Sequence, residues 1–335
     1  MPIQINQAMA RDLSPQLDDA VQIVCNEFEG LDAHRCYHNA FARVLKPDPL
    51  GRVLMLGTDQ RDLFVPLLRR SLTEHVPAGG RIFDIGAGDG QTFANVADAV
   101  PAGTTVSIAE PNPTYLAAYQ AFLERQPHLR VGVAVPIGLE ALDGEATGSA
   151  GVLPEEGSID LALGLHMIYY ATDVARSLVA ILRFLKPGGA YFNVVTDEAT
   201  AYSGAVLRSF IDSGGHTGDD DRYSAAVEER RRLFAPASEG GGGLAEAVRA
   251  ADIAVEVEAV RQESRMYGHT LADLLALANI SVLTGHTGTQ KFESAAKTLR
   301  DRPEEVGLRI ETEGPRTGMW SVVQPQWVTQ IRRVS

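Results

Sequence analysis

Cysteine is nearly missing from this chain: Cys25 and Cys36 are the two in 335 residues. No disulfide framework is implied, and reduced thiols in a cytoplasmic protein are the simple expectation. Basic residues are also short. Thirty Lys and Arg stand against 43 Asp and Glu, giving a formal net charge of −13 and a pI near 5.1. Nucleic acid and anionic membrane surfaces need a basic face, so neither is expected as the main partner. No uninterrupted apolar run is long enough to span a bilayer; the longest candidate, Leu271–Leu283, contains Asp273 and Asn279. The opening Met-Pro-Ile-Gln-Ile-Asn-Gln lacks a basic stretch followed by an apolar core, so no signal peptide is expected. No internal repeat is visible.

What is present suits a globular protein. Hydrophobic residues make up 45% and charged residues 22%, an ordinary balance, and the length allows one large or two moderate domains. Residues 1–75 read as helical. Leu17, Val21, Val24 and Phe28 recur at helical spacing, as do Tyr37, Phe41, Val44 and Leu45. Lys46-Pro47-Asp48-Pro49 breaks the pattern, and Thr58 or Asp59 can cap a third helix carrying Leu63, Phe64, Leu67 and Leu68.

From Arg81 the texture changes to strands alternating with helices. Strands are expected at Ile82–Ile85, Thr105–Ala109, Arg130–Val135, Ile159–Leu165 and Ala190–Val195. Helices are expected at Pro113–Glu124 and Thr172–Leu185, with Lys186-Pro187-Gly188-Gly189 as a turn. This alternation predicts an α/β fold with a parallel sheet covered on both faces. The stretch 200–250 is an insertion, helical through Ala205, Val206 and Phe210. Its polar runs, Ser213–Asp221 and Glu239–Gly243, are expected to form flexible loops or a mobile flap. Ile253–Val260 alternates like a strand, Leu271–Leu283 and Phe292–Leu299 are helical, and Ser321–Val328 is expected as the last strand. The division is a helical region over 1–75 and a sheet domain over 76–335.

Four features fall in the right order for one site. The strand Ile82–Ile85 carries Asp84 and runs into Gly86-x-Gly88-x-Gly90. Glycine has no Cβ and tolerates positive φ, so a ligand can approach such a turn closely. Glu110 ends the next strand, where a carboxylate can accept hydrogen bonds from both ribose hydroxyls and would repel a phosphate. Asp160–Leu165 then runs into the tail His166-Met167-Ile168-Tyr169-Tyr170, and Lys186-Pro187-Gly188-Gly189 leads into the fifth strand. A nucleotide-like cofactor at the carboxyl ends of parallel strands is implied. A nicotinamide dehydrogenase is disfavoured, because the spacing is not the G-x-G-x-x-G that seats a pyrophosphate and the turn follows a long helical segment.

Taken together, strand–Asp-Ile-Gly-Ala-Gly-Asp-Gly, strand–Glu110, the strand-four tail and Leu-Lys-Pro-Gly-Gly resemble the class I S-adenosylmethionine-dependent methyltransferases. The resemblance implies a Rossmann-like seven-stranded sheet with a reversed final hairpin and an N-terminal helical lid. It implies S-adenosylmethionine as cofactor, with Asp84 facing its amino group, Gly86 and Gly88 against it, Glu110 on the ribose, and Pro111 and Leu165 nearby. A finer resemblance is to histamine N-methyltransferase and related small-amine enzymes. It rests on Tyr37-x3-Phe41-x-Arg43-x-Leu45, Glu110-Pro111, Met167-Ile168-Tyr169-Tyr170 with Asp173, and Leu271-Ala272-Asp273-Leu274-Leu275. In that family a glutamine stands where this chain has His166. The family's acidic substrate anchor falls near Asp59 or Gln60. The glycine-rich stretch 213–243 is foreign to that pattern.

The resemblance implies a methyltransferase of secondary metabolism acting on a small molecule, an amine or other small nucleophile. His166 is read as a general base or as a wall residue, since imidazole titrates near neutrality. Tyr169, Tyr170 and Tyr37 can stabilise a cation with their ring faces, and Tyr37, Asn39, Asp59, Gln60 and His166 are the candidate substrate contacts. A second reading keeps the fold and consumes the cofactor itself: attack of its α-amino group on the γ-carbon gives azetidine-2-carboxylate and methylthioadenosine. A third is a non-catalytic cofactor-binding scaffold, which a degenerate glycine turn would favour. No metal site is expected. His34 and His38 share a helix spacing but suit a helix surface, and Asp219-Asp220-Asp221 suits a solvated loop.

Overall fold

The computed structural model describes residues 2–44, 57–142, 153–171, 173–215, 220–280 and 288–334. The expectations at Leu45, Lys46–Pro49, Thr172, Asp219 and Leu283 lie outside these residues. In chain order the first elements are β1 (Ile3–Gln4), α1 (Gln7–Asp12), α2 (Ser14–Phe28), α3 (Ala33–Val44) and α4 (Gln60–His75). Next come β2 (Arg81–Ile85), α5 (Gln91–Ala94), β3 (Thr104–Ala109), α6 (Pro113–Glu124), β4 (Leu129–Val135), β5 (Ile159–Leu165), α7 (Val174–Phe184) and β6 (Leu185–Thr196). The last are α8 (Tyr202–Asp212), α9 (Asp220–Phe234), α10 (Leu244–Arg249), β7 (Val255–Gln262), β8 (Arg265–Gly268), α11 (Leu271–Ala276), α12 (Gln290–Asp301), β9 (Arg309–Ile310), β10 (Trp320–Val323) and β11 (Gln326–Arg333).

Two compact units result. One holds residues 1–61, 197–228 and 263–325; the other holds 62–196, 229–262 and 326–335. The division falls inside α4 and α9, so it runs differently from a cut near residue 75.

The first unit contains a four-stranded sheet of order β1-β9-β10-β8, antiparallel throughout. Its core gathers Leu17, Val24 and Phe28 of α2, Tyr202, Val206 and Phe210 of α8, and Leu274, Phe292 and Leu299 from the later helices. On α2 the buried positions recur at helical spacing, and each fully buried large apolar side chain contributes about 1.5–3 kcal/mol.

The second unit contains the seven-stranded sheet β4-β3-β2-β5-β6-β11-β7. Strands β2 to β6 pair parallel, while β11 enters antiparallel between β6 and β7. This is the seven-stranded sheet that the resemblance implies, with the reversed final hairpin. Side chains alternate across it. Ile82, Val106, Ile108, Leu161, Leu163, Phe192 and Val194 meet Phe64, Leu68 and Leu72 of α4 and Leu116, Tyr119 and Leu123 of α6 on one face. On the other, Phe83, Ile85, Ala162, Tyr191 and Val195 meet Leu178, Ile181 and Leu182 of α7. Asp173 caps α7 by accepting the Arg176 N–H at 2.9 Å. β2 has β3 on one side and β5 on the other. The chain therefore winds outward in both directions from β2, which leaves a crevice at the carboxyl ends of these strands.

Several expected boundaries shift for physical reasons. The Lys186–Gly189 segment lies within β6 rather than before it. Pairing steps from Ile159↔Leu185 to Leu161↔Ala190, so the extra residues bulge out of the ladder. The expected last strand, Ser321–Val328, is two strands in two sheets, parted at Gln324-Pro325; Pro325 has no N–H to continue a ladder. The expected flap contains helix α9, and Glu239–Gly243 is a bonded turn. There Gly241 N–H donates to the Pro236 carbonyl at 3.1 Å and Gly243 N–H to that of Arg232 at 3.0 Å. Asp220 and Asp221 begin α9 rather than a loop.

Asp160 sits at the amino end of β5, at the opposite end of the strand from His166. It is buried, accepts the Arg81 N–H at 2.8 Å and pairs with Lys186. It joins β2, β5 and the β6 bulge and takes no part in the site. Asp160→Ala is expected to lower unfolding free energy by about 1–3 kcal/mol, because it leaves the half-buried Arg81 N–H without its acceptor and unties three strands. Lys186→Ala is expected to cost less than about 1 kcal/mol, because the lysine end is partly in water. Equal losses in urea denaturation would contradict this assignment.

Candidate cofactor and active site

The glycine turn after β2 is built from three glycines with positive φ, each for its own reason. A Cβ on Gly86 (φ +63°) would lie 2.6 Å from Met167 Cβ, and one on Gly90 (φ +80°) would lie 2.3 Å from the Tyr119 ring. Gly88 (φ +58°) faces open space, with nothing within 4 Å of such an atom. The outer two glycines admit protein side chains, and the middle one leaves bare main chain exposed. The helix after the turn is short: α5 has four residues, and a 3-10 turn follows at Ala97–Ala99. Exposed turn backbone, not a long helix terminus, is what this loop presents.

Glu110 follows β3 and is 7% exposed. One of its oxygens accepts the Gly88 N–H at 2.8 Å, and the other accepts the Asn112 N–H at 2.9 Å. Asn112 in turn caps α6, accepting from Thr114 N–H at 2.9 Å and Tyr115 N–H at 3.3 Å. The carboxylate therefore fixes the turn after β2 and the start of α6 together. Each oxygen keeps a second lone pair for a donor from a ligand.

Asp84 lies within β2, paired with Ile108 and Leu163. It is 3% exposed and accepts the Tyr119 hydroxyl proton at 2.9 Å. Burial pushes its carboxyl up to about 7; the Tyr119 bond pulls it down and the Glu110 charge pushes it further up. The Tyr119 phenol is raised, chiefly by its own burial.

His166 ends β5 with φ +57°, the left-handed region that favours glycine. Its N–H donates to the Val194 carbonyl at 2.8 Å, and its ring meets the edge of Phe64 at 5.9 Å between centroids. Strained backbone of this kind collects at functional sites. The following Ile168–Tyr170 is a 3-10 turn rather than extended chain. Ile168 is core, Tyr169 packs partly against the sheet, and Tyr170 is 61% exposed; the two tyrosine rings meet at 4.8 Å.

One unit therefore brings together Asp84, Gly86, Gly88, Glu110, Leu165 and His166, with Pro111 exposed beside Glu110. Tyr37, Asn39, Asp59 and Gln60 belong to the other. There Tyr37 stacks on Phe41 at 5.6 Å. Both Asp59 oxygens are engaged, one by the Arg265 N–H at 2.6 Å and the other by the Tyr267 hydroxyl at 2.7 Å. Thr58 Oγ1 accepts the Gln60 N–H at 3.1 Å, so Thr58 caps α4. Arg43 and Asp273, noted in the sequence for their resemblance, pair with each other, and Arg43 also pairs with Glu27. His38 is exposed, and the His34 side chain lies outside the described residues. No cluster of potential metal ligands occurs among the described residues. Both cysteines are free thiols. No helix among the described residues is long and apolar enough to cross a membrane.

Sequence reasoning missed Tyr119 and Phe64 as parts of the site. The available signal for Tyr119 was its register with Leu116 and Leu123 on the buried face of α6. A hydroxyl carried into the core at that register needs a partner.

Residues 83–193 match the methyltransferase domain family. No curated protein matches the chain, so the finer likeness to histamine N-methyltransferase finds no support there. Among solved structures, the YcgJ protein from Bacillus subtilis is similar at 14% identity and a TM-score of 0.48, over 82% of this chain and 99% of that one. Geranyl diphosphate methyltransferase, in complex with GPP and sinefungin, is similar at 15% identity and 0.39, over 81% and 77%. Haemonchus contortus phosphoethanolamine N-methyltransferase 2, in complex with phosphomonomethylethanolamine and S-adenosylhomocysteine, is similar at 13% and 0.44, over 88% and 56%. Likeness at this level says nothing of the acceptor. The domain match gives S-adenosylmethionine as the cofactor, and the residues fit it: open main chain at Gly88 stands beside a buried carboxylate with lone pairs to offer.

The Asp84 carboxyl has a pH consequence. Its ordinary value is about 3.9 in an unfolded chain, and it is raised to about 7 on folding. Its contribution to stability is therefore complete below about pH 4 and is lost as pH rises through about 7. Asp84→Asn, which stays neutral, is expected to gain stability relative to the parent over that window. A pH-independent difference in thermal denaturation would contradict the assignment.

Proposed function

Taking the chain as an S-adenosylmethionine-dependent methyltransferase, we propose that its acceptor is a small molecule, an amine or another small nucleophile. The observation that carries the reading is His166. A histidine held in a strained left-handed conformation at the carboxyl end of β5, with its ring against Phe64, stands in the same unit as the glycine turn. The bound cofactor supplies a methyl group already activated on a sulfonium. What the chain's own residues have to do is position, exclude water and accept a proton. Glu110 holds the ribose hydroxyls, Gly88 lets the cofactor lie against main chain, and Asp84 faces its ammonium. His166 takes the proton from an ammonium acceptor, a role that contributes roughly 10²–10⁴-fold. Tyr169 and Tyr170 offer ring faces that favour a cation by roughly 0.5–2 kcal/mol. The amine preference draws on the sequence resemblance to small-amine enzymes.

The test is a product assay on purified protein with S-adenosylmethionine, alone and with a panel of small amines and alcohols. S-adenosylhomocysteine that forms only when an acceptor is added is the expected result. Methylthioadenosine released without any acceptor would instead mean that the cofactor is consumed by cyclisation.

Two substitutions refine the roles. Glu110→Ala is expected to weaken S-adenosylmethionine binding by roughly 1.5–3 kcal/mol in calorimetry through lost charge-assisted hydrogen bonds; unchanged affinity would remove Glu110 from the ribose. His166→Gly suits the left-handed backbone and deletes only the imidazole. It is expected to cut turnover by roughly 10²-fold or more, with imidazole in the buffer restoring part of it. Turnover within a factor of two of the parent would reduce His166 to a wall.

A further inference from the structure

Tyr119 and Gly90 make up an arrangement that the ribose and base roles leave unexplained. Tyr119 is fully buried on α6, and its hydroxyl donates to Asp84 at 2.9 Å. Its ring lies where any side chain on Gly90 would sit, with Cδ2 2.3 Å from that Cβ position. The third glycine of the turn is therefore the space through which the ring reaches Asp84. Phe93 packs against the same ring at 5.7 Å and Phe122 at 6.4 Å, so the phenol has little freedom to turn away.

We propose that Tyr119 is a positioning residue for the cofactor: its hydroxyl holds the Asp84 carboxyl group aimed at the cofactor's α-ammonium, and Gly90 is bare to admit its ring. The inference rests on the reading that Asp84 faces that ammonium. The groups acting on Asp84 are Tyr119 from α6 and Glu110 after β3. Burial and the like charge of Glu110 both favour the neutral acid, and the tyrosine bond opposes them. Without that bond Asp84 would hold its proton to higher pH, and less of its charge would face the ammonium.

The measurement is the pH dependence of ligand affinity by calorimetry between pH 5.5 and 8.5. It uses S-adenosylmethionine and 5′-methylthioadenosine, which keeps the nucleoside but has no α-ammonium. In the parent protein, S-adenosylmethionine affinity is expected to fall as pH drops below about 7, while methylthioadenosine affinity stays flat. The methylthioadenosine series also removes any contribution of Glu110, which both ligands meet through the ribose.

Tyr119→Phe keeps the ring and removes the hydroxyl. It is expected to move the acid limb up by about one pH unit, a loss of about tenfold in S-adenosylmethionine affinity below the new limb. Methylthioadenosine affinity should be unchanged. A variant whose profile overlays the parent, while Asp84→Asn still weakens S-adenosylmethionine, would overturn the role of Tyr119 and leave the Asp84 reading standing. Asp84→Asn without effect on S-adenosylmethionine would overturn both. The parent profiles decide the matter even if Tyr119→Phe does not fold, since a flat S-adenosylmethionine profile also overturns the proposal.

Discussion

A buried carboxylate holding two loop N–H groups at once is the constraint on which this site depends. Glu110 receives one hydrogen bond from Gly88 and one from Asn112, and Asn112 passes the restraint on to the first turn of α6. The turn after β2 and the helix after β3 are thereby locked to one another. Hydrogen bonds to a charged acceptor are stronger than neutral ones, and at 7% exposure water competes little for these. The same geometry sets Tyr119, on the second turn of α6, beneath the glycine turn and against Asp84. A single acidic residue at a strand end thus fixes the open main chain at Gly88, the direction of α6 and the environment of a second carboxylate.

The sheet makes that arrangement possible. Because β2 has β3 and β5 as its two neighbours, the loops after β2, β3 and β5 converge at one crevice. His166 arrives there from β5 in a conformation that costs about 1 kcal/mol or more for a residue with a Cβ. The opposite end of the same strand is held by Asp160, bonded to Arg81 and Lys186. Acidic residues at the two ends of the sheet therefore have opposite tasks. Asp160 joins strands, while Asp84 and Glu110 shape a place for a ligand.

Much of this was legible in the chain itself. The bounds of β5 and α6 follow from apolar runs ended by His166 and by the Asn112-Pro113 start signal, where Asn112 caps and Pro113 presets the first turn. The glycine turn and Glu110 were readable because their chemistry needs those residue types at those positions. The four-stranded sheet was not readable: β1 and β9 are two residues each and pair with one another across most of the chain, Ile3 with Ile310, so no local periodicity marks them. Helix α9 was hidden for a different reason. Its sequence is dominated by charged residues, and among its described side chains the buried positions, Arg230, Leu233 and Phe234, cluster at the carboxyl end. At Gln324-Pro325 an apparently single strand changes sheets, because pairing partners rather than side-chain pattern decide where each half goes. Within the site, the part that remained hidden was a contact across elements, Tyr119 to Asp84, which sequence spacing alone does not bring together.

The most direct test of the central claim is a crystal structure of the chain with S-adenosylhomocysteine bound. The ribose hydroxyls are expected on the Glu110 carboxylate and the ligand against Gly88, with the α-ammonium on the side of Asp84. A ligand seated elsewhere, or a ribose that leaves Glu110 bonded to main chain alone, would contradict it.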